Sequence, residues 1–214
     1  MTDLESSSLS QTLQRANVEL IIGFDATVEA FARAMELREG EPLGHTRQVT
    51  EVTVNLAKAI GIPIPQQPHI RRGAFLHDIG KMAVPETILK KAGPLTEDEW
   101  VIVKRHPQHA YDLLSPIVFL HLAIDIPYCH HESWDGSGYP QGLKGEHIPL
   151  AARVFAVVDV WDALTSDRPQ RKAWPEIEAM EYLKAQAGKK FDPTVVQTFL
   201  DSTIKKKVTK PLVK

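Results

Sequence analysis

The sequence predicts an all-α fold. Apolar residues recur at helical spacing along most of the 214 residues, and helix start and stop signals separate the segments. The alternating pattern typical of strands is scarce, and no internal repeat is visible. The composition, 43% apolar and 24% charged, is that of a globular protein, and the length suits one domain with a helical extension.

Two helices are predicted near the start of the chain. Residues 1–10 are rich in serine and are expected to form a linker, which leads into an amphipathic helix over 18–37. Glu41 and Pro42 mark the start of the second helix, because proline suits the first helical position. This helix is expected to end near Gly61.

Three further helical segments are predicted in the middle of the chain. A short apolar helix over 68–79 is expected to end in a histidine-aspartate pair. Thr96 and Glu99 have the spacing of a capping box, so a helix is expected to begin there and to carry His106. Residues 117–131 form another apolar segment.

Two helices are predicted in the last third of the chain. Residues 150–165 form a long apolar helix that is interrupted by Asp159 and Asp162. A final helix is expected to begin at Pro193, and the basic tail over 205–214 is expected to be solvated.

Charge and cysteine usage exclude several classes of function. The formal net charge of −2 gives no broad electrostatic surface for nucleic acid or an anionic membrane. A phosphate-bearing ligand would therefore need local charges or metals. The single Cys129 excludes an intramolecular disulfide, and no apolar run reaches membrane-spanning length. These features lead us to expect a cytoplasmic protein with no membrane segment.

Ionisable residues interrupt the apolar helices and indicate a metal site. A buried ionisable group is costly unless it is paired or bound to a metal. His77 and Asp78 follow an apolar stretch, and Asp159 lies within one. One such residue alone is more often a paired core residue, but the set also includes His106 and the His130-His131 pair. Imidazoles and carboxylates without thiolates suit iron, manganese or zinc, and such clusters commonly activate water.

Four stretches of the sequence resemble one known family. They are His77-Asp78-Ile79-Gly80-Lys81, Lys104-Arg105-His106-Pro107, the segment from His130 to Gly138-Tyr139-Pro140, and the segment from Val158 to Thr165. This pattern resembles the HD-GYP phosphodiesterases of the HD metallohydrolase superfamily, from about Phe24 to Phe199. The resemblance implies a helical bundle of the HD-domain type with a metal cluster in its core.

The resemblance also implies a set of metal ligands for two or three divalent ions, iron or manganese. Asp78 would bridge two ions, since a carboxylate offers two oxygens. Glu41 would add a third ion, although it could instead complement the start of the second helix. Asp162 is expected to support a ligand or to cap a helix, and not to bind a metal itself. The implied ligands are Glu41, His45, His77, Asp78, His106, His130, His131 and Asp159.

A second group of residues is implied to contact the substrate. Lys81 would lie beside the scissile phosphate or the attacking water, and Asp78 and Lys81 are the implied catalytic residues. Arg168, Arg171 and Lys172 fall in a segment that resembles the family's phosphate-binding Arg-Pro-Tyr-Arg, with glutamine in place of the tyrosine. An ordinary charged loop is the alternative for this segment. Tyr139 would contact the substrate or serve packing alone.

The activity implied by the resemblance is hydrolysis of cyclic di-GMP to pGpG, GMP or both, by hydroxide generated at the metals. Two alternatives stay open. One is a catalytically silent scaffold that binds cyclic di-GMP for signalling. The other is a hydrolase of a different cyclic dinucleotide, such as cyclic GMP-AMP, because no residue in the sequence reads guanine.

The expected organisation has three parts: a linker and amphipathic helix over 1–38, an HD-GYP catalytic domain over 39–204, and the tail over 205–214. The resemblance implies that the loop over 134–140 contacts a diguanylate cyclase (GGDEF) domain. It also implies that the N-terminal helix receives a signal or forms a homodimer. Neither nucleic acid nor a membrane is expected as a partner.

Overall fold

The computed structural model describes residues 3–167 and 171–209, with side chains from 8 to 204. The predicted all-α fold is confirmed, because these residues form helices and short 3₁₀ turns and no β-strand. None of the helices described is long and apolar enough to span a membrane. The helices are α1 (Asp3–Glu39), α2 (His45–Ile60), α3 (Gln67–Phe75), α4 (Glu86–Leu89), α5 (Glu97–Val103), α6 (His106–Leu114), α7 (Asp125–Cys129), α8 (Leu150–Thr165), α9 (Glu176–Gln186) and α10 (Pro193–Thr209).

The main core lies where α8 packs between α2, α9 and α10. Phe155 and Val157 of α8 are fully buried, as is Leu183 of α9. α8 begins and ends where its continuous apolar run predicted, since a helix buried on several sides is apolar on several faces. A second cluster joins α3 and α6 to the C-terminal half of α1 through Val28 and Met35.

α1 is longer than predicted and packs along only part of its length. It begins at Asp3, so the described part of the expected linker is helical. Ala32 and Met35 are buried against the domain, whereas Leu13 and Leu20 are 56% and 71% exposed. Its N-terminal half therefore extends from the domain as an isolated helix.

The prediction that α2 begins at Pro42 is wrong, because the helix begins at His45. Gly44 adopts a left-handed conformation (φ 88°) that breaks the chain direction just before the helix. The buried Glu36 carboxylate then accepts hydrogen bonds from the backbone N–H groups of Gly44 (2.9 Å) and Thr46 (2.7 Å). A side chain from α1, eight to ten residues earlier, thus caps α2 and sets its first residue.

Three site residues predicted to lie inside helices lie at helix boundaries instead. α3 ends at Phe75, so the His77-Asp78 pair occupies the turn that leads into a 3₁₀ segment over Ile79–Ala83. The predicted capping box of α5 is confirmed, but α5 ends at Val103 and His106 begins the separate helix α6. The proline that follows His106 suits a helix start, since it has no N–H to satisfy.

The remaining differences concern shorter elements. The apolar segment over 117–131 divides into a 3₁₀ turn, Val118–Ala123, and α7. The predicted final helix is confirmed, and the Asp192 side chain accepts a hydrogen bond from the backbone N–H of Thr194 (2.8 Å) at its start. α9 was not predicted, because its exposed face is polar and its apolar stripe is short.

Candidate metal centre

An open cavity of about 310 Å³ contains the predicted metal ligands. The turn after α3, the starts of α2 and α6, the end of α7 and the middle of α8 all contribute to its walls. Elements far apart in the chain therefore supply one site. Its predicted residues are Glu41, His45, His77, Asp78, Lys81, His106, His130, His131, Tyr139 and Asp159.

Four of these residues form a compact cluster. One ligand atom from each of Asp78, His106, His130 and His131 lies within 4.8 Å of the others. Nε2 of His106 lies 3.4 Å from Asp78 Oδ1 and 3.3 Å from Nε2 of His130. Nε2 of His77 approaches the other oxygen, Asp78 Oδ2, at 3.0 Å. Imidazole nitrogens thus face both oxygens of one carboxylate, and this nitrogen-oxygen donor set fits divalent transition metals.

Backbone carbonyls orient three of the imidazoles. In each case Nδ1 lies within hydrogen-bond distance of the carbonyl three or four residues earlier, at 2.9 Å for His77, 2.8 Å for His106 and 2.9 Å for His130. Because a carbonyl only accepts, Nδ1 must carry the hydrogen. In the neutral rings of His106 and His130, Nε2 is then left with a lone pair that points into the cluster, the tautomer required for metal binding.

Burial favours the neutral state of the clustered histidines. It lowers the pKa of His131 to about 3, with a further contribution from His106 nearby, and it lowers the pKa of His130 well below its usual value. His77 differs. Burial opposes its charged form, but the adjacent Asp78 carboxylate outweighs that effect and raises the pKa of His77 to about 9. The cluster is thus built around one carboxylate held in its charged form.

Lys81 joins the cluster to α1. Its ammonium group lies 2.7 Å from Asp78 Oδ2 and 2.8 Å from Oε2 of Glu39, and all three side chains are mostly buried. Burial opposes the charged amine, but Asp78 and Glu39 together raise the pKa of Lys81. Lys81 is therefore a fixed positive charge beside the cluster. Glu39 was not predicted, because nothing in the sequence relates it to a residue 42 positions later.

A second group of ligand atoms lies around His45. Nε2 of His45 is 3.7 Å from Oε2 of Glu41 and 3.3 Å from Oδ2 of Asp162. Glu41 precedes α2 and still faces the same cavity as His45. Asp162, one helical turn beyond Asp159, approaches His45 from α8. The cavity thus has two neighbouring groups of nitrogen and oxygen donors.

Gly80 permits the close approach of the turn that carries Asp78 to the helix that begins at His106. A Cβ atom at this position would lie 1.9 Å from the backbone oxygen of His106 and 2.7 Å from the backbone nitrogen of Ala110. Glycine is therefore required for the two elements to meet at this distance. The contact explains why a glycine follows two residues after Asp78 in the sequence.

The loop over 134–140 forms one wall of the cavity. The Tyr139 ring stacks on the His131 imidazole with 4.8 Å between ring centroids, and the Lys104 ammonium lies 5.7 Å from the centroid of the Tyr139 ring. Gly138 packs so closely that a Cβ atom would lie 2.2 Å from the backbone nitrogen of Ser133. The buried Glu132 carboxylate accepts hydrogen bonds from backbone N–H groups that follow the loop.

The predicted phosphate-binding segment lies at the end of α8. The Arg171 guanidinium donates to the backbone carbonyls of Ala163 and, at 3.2 Å, of Leu164. Ala163 itself lines the cavity, so Arg171 lies near its rim. Lys172 is 91% exposed and lies 3.2 Å from the carboxylate of Asp167. Arg168 lies outside the described residues.

Comparison with known proteins places this site in a family. A family model described as "HD domain" matches residues 29–195. The chain belongs to the HD domain family. The resemblance identified in the sequence is thereby confirmed, and the matched residues include the His77-Asp78 pair.

Curated relatives of the HD domain include enzymes that act on cyclic dinucleotides. The cyclic di-GMP phosphodiesterase response regulator RpfG of Xanthomonas campestris pv. campestris is 43% identical over 195 residues, 90% of this chain and 52% of that protein. A cyclic di-GMP phosphodiesterase of Thermotoga maritima is 40% identical over 169 residues, 77% and 45% of the two chains. The 3'3'-cGAMP-specific phosphodiesterase 2 of Vibrio cholerae is 35% identical over 191 residues, 86% and 37% of the two chains.

A solved structure shares the fold of the HD domain at lower identity. Bd1817, an HDG"Y"P protein from Bdellovibrio bacteriovorus, superposes with a TM-score of 0.61 at 22% identity, covering 75% of this chain and 51% of that chain. The chain spans about half, or less, of the length of the curated relatives described above.

Proposed function

We propose that this chain is a metal-dependent phosphodiesterase that hydrolyses cyclic di-GMP to pGpG, GMP or both. The observation that carries the proposal is the cluster of Asp78, His106, His130 and His131 in an open cavity, with the charged Lys81 beside it. The relatives named cyclic di-GMP phosphodiesterases support the choice of substrate.

The residues of the cavity fit two or three divalent ions, and we propose iron or manganese. When bound, such ions supply a nucleophile at neutral pH and stabilise charge on phosphoryl oxygens. Asp78 is the proposed bridge, because its two oxygens face different histidines. His77, His106, His130, His131 and Asp159 complete the proposed main site.

Glu41 and His45 are the proposed ligands of a further ion. Their ligand atoms lie 3.7 Å apart at the edge of the same cavity, and Glu41 is 36% exposed, so an ion could enter from solvent. Asp162 Oδ2 lies 3.3 Å from the same nitrogen, so this carboxylate would stand beside the bound ion. The count of two or three ions depends on whether this pair binds.

The proposed contacts to substrate follow the charges at the cavity. Lys81 would hold a phosphoryl oxygen or the attacking water, since it is the buried cation closest to Asp78. Tyr139 and the basic residues Arg168, Arg171 and Lys172 would contact the rest of the dinucleotide. To contact the substrate, the Arg171 guanidinium must share or break its hydrogen bonds to the carbonyls at the end of α8. Lys172 is exposed and has no such bonds to α8 to break.

The decisive experiment combines metal analysis with product chromatography. Protein purified without oxygen should contain at least two divalent ions per chain and convert cyclic di-GMP to pGpG or GMP. Asp78→Ala should lose metal and turnover together, because the proposed bridge is removed. Asp112→Ala, an exposed aspartate outside the cavity, is the matched control and should retain both. Metal-loaded protein that binds the dinucleotide without cleaving it would favour the silent scaffold.

A second candidate substrate is 3'3'-cyclic GMP-AMP. The relative of Vibrio cholerae that is named specific for it supports this candidate, at 35% identity over 86% of the chain. Parallel rate measurements with the two dinucleotides separate the candidates, and the larger kcat/KM identifies the substrate.

Two protein partners belong to the same proposal. The loop over 134–140 is proposed to contact a GGDEF domain. α1 is proposed to form a homodimer with a second copy of the chain, because its exposed face carries a heptad stripe of apolar and small residues. The stripe consists of Leu9, Leu13, Ala16, Leu20 and Gly23, and each of these residues is exposed. We propose residues 39–204 as the catalytic domain, 1–38 as its N-terminal extension and 205–214 as a basic tail.

A further inference from the structure

Trp100 is a large aromatic side chain at the metal cavity that has no role in the site described above. It lines the same cavity as the metal cluster, yet its side chain is 47% exposed. Among the side chains that the structure describes, none makes an aromatic, cation-ring or hydrogen-bond contact with its indole. A tryptophan exposed at the wall of a polar cavity offers a flat apolar surface to a ligand.

The position of Trp100 relative to the cluster is fixed by α5. The capping box secures the start of this helix, since Thr96 N donates to Glu99 Oε2 at 2.7 Å. One turn after Trp100, about 4.5 Å along the helix axis, the carbonyl of Val103 accepts the hydrogen bond from His106 Nδ1 at 2.8 Å. The helix that presents the indole is therefore anchored directly to a residue of the metal cluster.

Tyr139, the other aromatic side chain of the cavity, is less available. The imidazole of His131 stacks on its ring at 4.8 Å, and the ammonium group of Lys104 lies 5.7 Å from the ring centroid. Of these two aromatic side chains, Trp100 is therefore the one whose ring face is available to a planar ligand group near the cluster.

We propose that Trp100 stacks on one purine base of the substrate while its phosphodiester lies at the Asp78 cluster. The inference rests on the proposed function and deepens it. In a nucleotide the sugar separates the base from the phosphate. A surface that binds the base must therefore lie beside the metal cluster, and Trp100 occupies such a position. Stacking accepts any base, because every base has a π face. Trp100 thus holds a base of the dinucleotide without reading guanine against adenine.

The expected effect is on substrate binding and not on chemistry. Removing one stacking surface should raise KM about 5- to 150-fold, with kcat changed less than about twofold, since the indole does not reach the reacting phosphate. The increase should be similar for cyclic di-GMP and 3'3'-cyclic GMP-AMP. Trp100→Phe keeps an aromatic face and should recover most of the loss.

The experiment compares Trp100→Ala and Trp100→Phe with Val101→Ala. Val101 is the matched control, because it is 55% exposed on the same helix and does not line the cavity. Metal content is measured for each variant, and KM and kcat are measured with both dinucleotides. A cyclic dinucleotide that carries 2-aminopurine reports stacking directly, since its fluorescence should be quenched by wild type and Trp100→Phe and not by Trp100→Ala.

The outcomes separate this inference from the proposed function. Unchanged KM in a metal-loaded Trp100→Ala variant, or quenching retained by it, overturns the stacking role. If wild type cleaves neither dinucleotide, the proposed function fails, and the quenching comparison still decides whether Trp100 binds a base. If Trp100→Ala does not fold, Trp100→Phe decides: near-wild-type KM with quenching supports stacking, and normal KM without quenching overturns it.

Discussion

His131 is neutral in the folded protein because it is buried among other imidazoles, which lowers its pKa to about 3. An unfolded histidine has a pKa of about 6.5. The unfolded chain therefore binds the proton more readily, and the neutral ring contributes stability above about pH 6.5 that is lost as the pH falls toward 3. His77, with a pKa raised to about 9, works in the opposite direction: its contribution is complete below about pH 6.5 and is lost as the pH rises toward 9.

We predict that metal-free protein loses about 2 kcal/mol of stability between pH 7 and pH 5 through His131 alone. The measurement is urea unfolding of metal-free wild type and of His131→Gln at both pH values. The variant should lose less stability by about that amount, and the comparison cancels the contribution of His77. Equal losses in the two proteins would show that His131 is protonated as easily in the folded chain as in the unfolded one.

Gly80 lets two short elements, the 3₁₀ turn after Asp78 and the start of α6, meet where the metal cluster forms. We predict that Gly80→Ala lowers the free energy of unfolding by about 1–3 kcal/mol, because the added Cβ would lie 1.9 Å from the backbone oxygen of His106. The same displacement should separate Asp78 from His106 and lower the metal content per chain.

Gly93→Ala is the matched control for Gly80→Ala. A Cβ atom at Gly93 has no atom within 4 Å and its backbone needs no left-handed conformation. Thermal unfolding and elemental analysis of both variants provide the readouts. Normal metal content in Gly80→Ala would mean that α6 can shift without loss of the cluster.

The elements that could be predicted from sequence are those whose signals are local. The apolar run of α8 and the capping box of α5 lie within the helices they define, and the structure confirms both. The start of α2 could not be predicted, because Glu36 of α1 caps it across a turn. The ion pair of Glu39 with Lys81 joins residues 42 positions apart, and no local pattern indicates it.

α1 connects the metal cluster to the exposed helical segment that extends from the domain. Near its C-terminal end, Glu36 caps α2 beside His45, and Glu39 binds Lys81. Its N-terminal half extends from the domain and lacks the packing of an apolar face that supplies most helical stability in proteins. A partner that covers this half would stabilise it, and a movement of α1 would reach both residues at the cavity.

We predict that the full chain is a dimer in solution and that Leu13→Asp with Leu20→Asp makes it monomeric, because charges at core positions of a coiled coil cannot be buried without a partner. Val18→Asp with Ile22→Asp is the matched control: both residues are exposed on α1 but lie off the heptad stripe, so the dimer should persist. Light scattering measures the mass of each protein, and circular dichroism should show that only the monomeric variant loses helix. A monomeric wild type, or a dimer unaffected by the stripe variant, would remove α1 as the interface. Both variants add two aspartates to exposed positions of α1, so a difference between them reports the face that is changed.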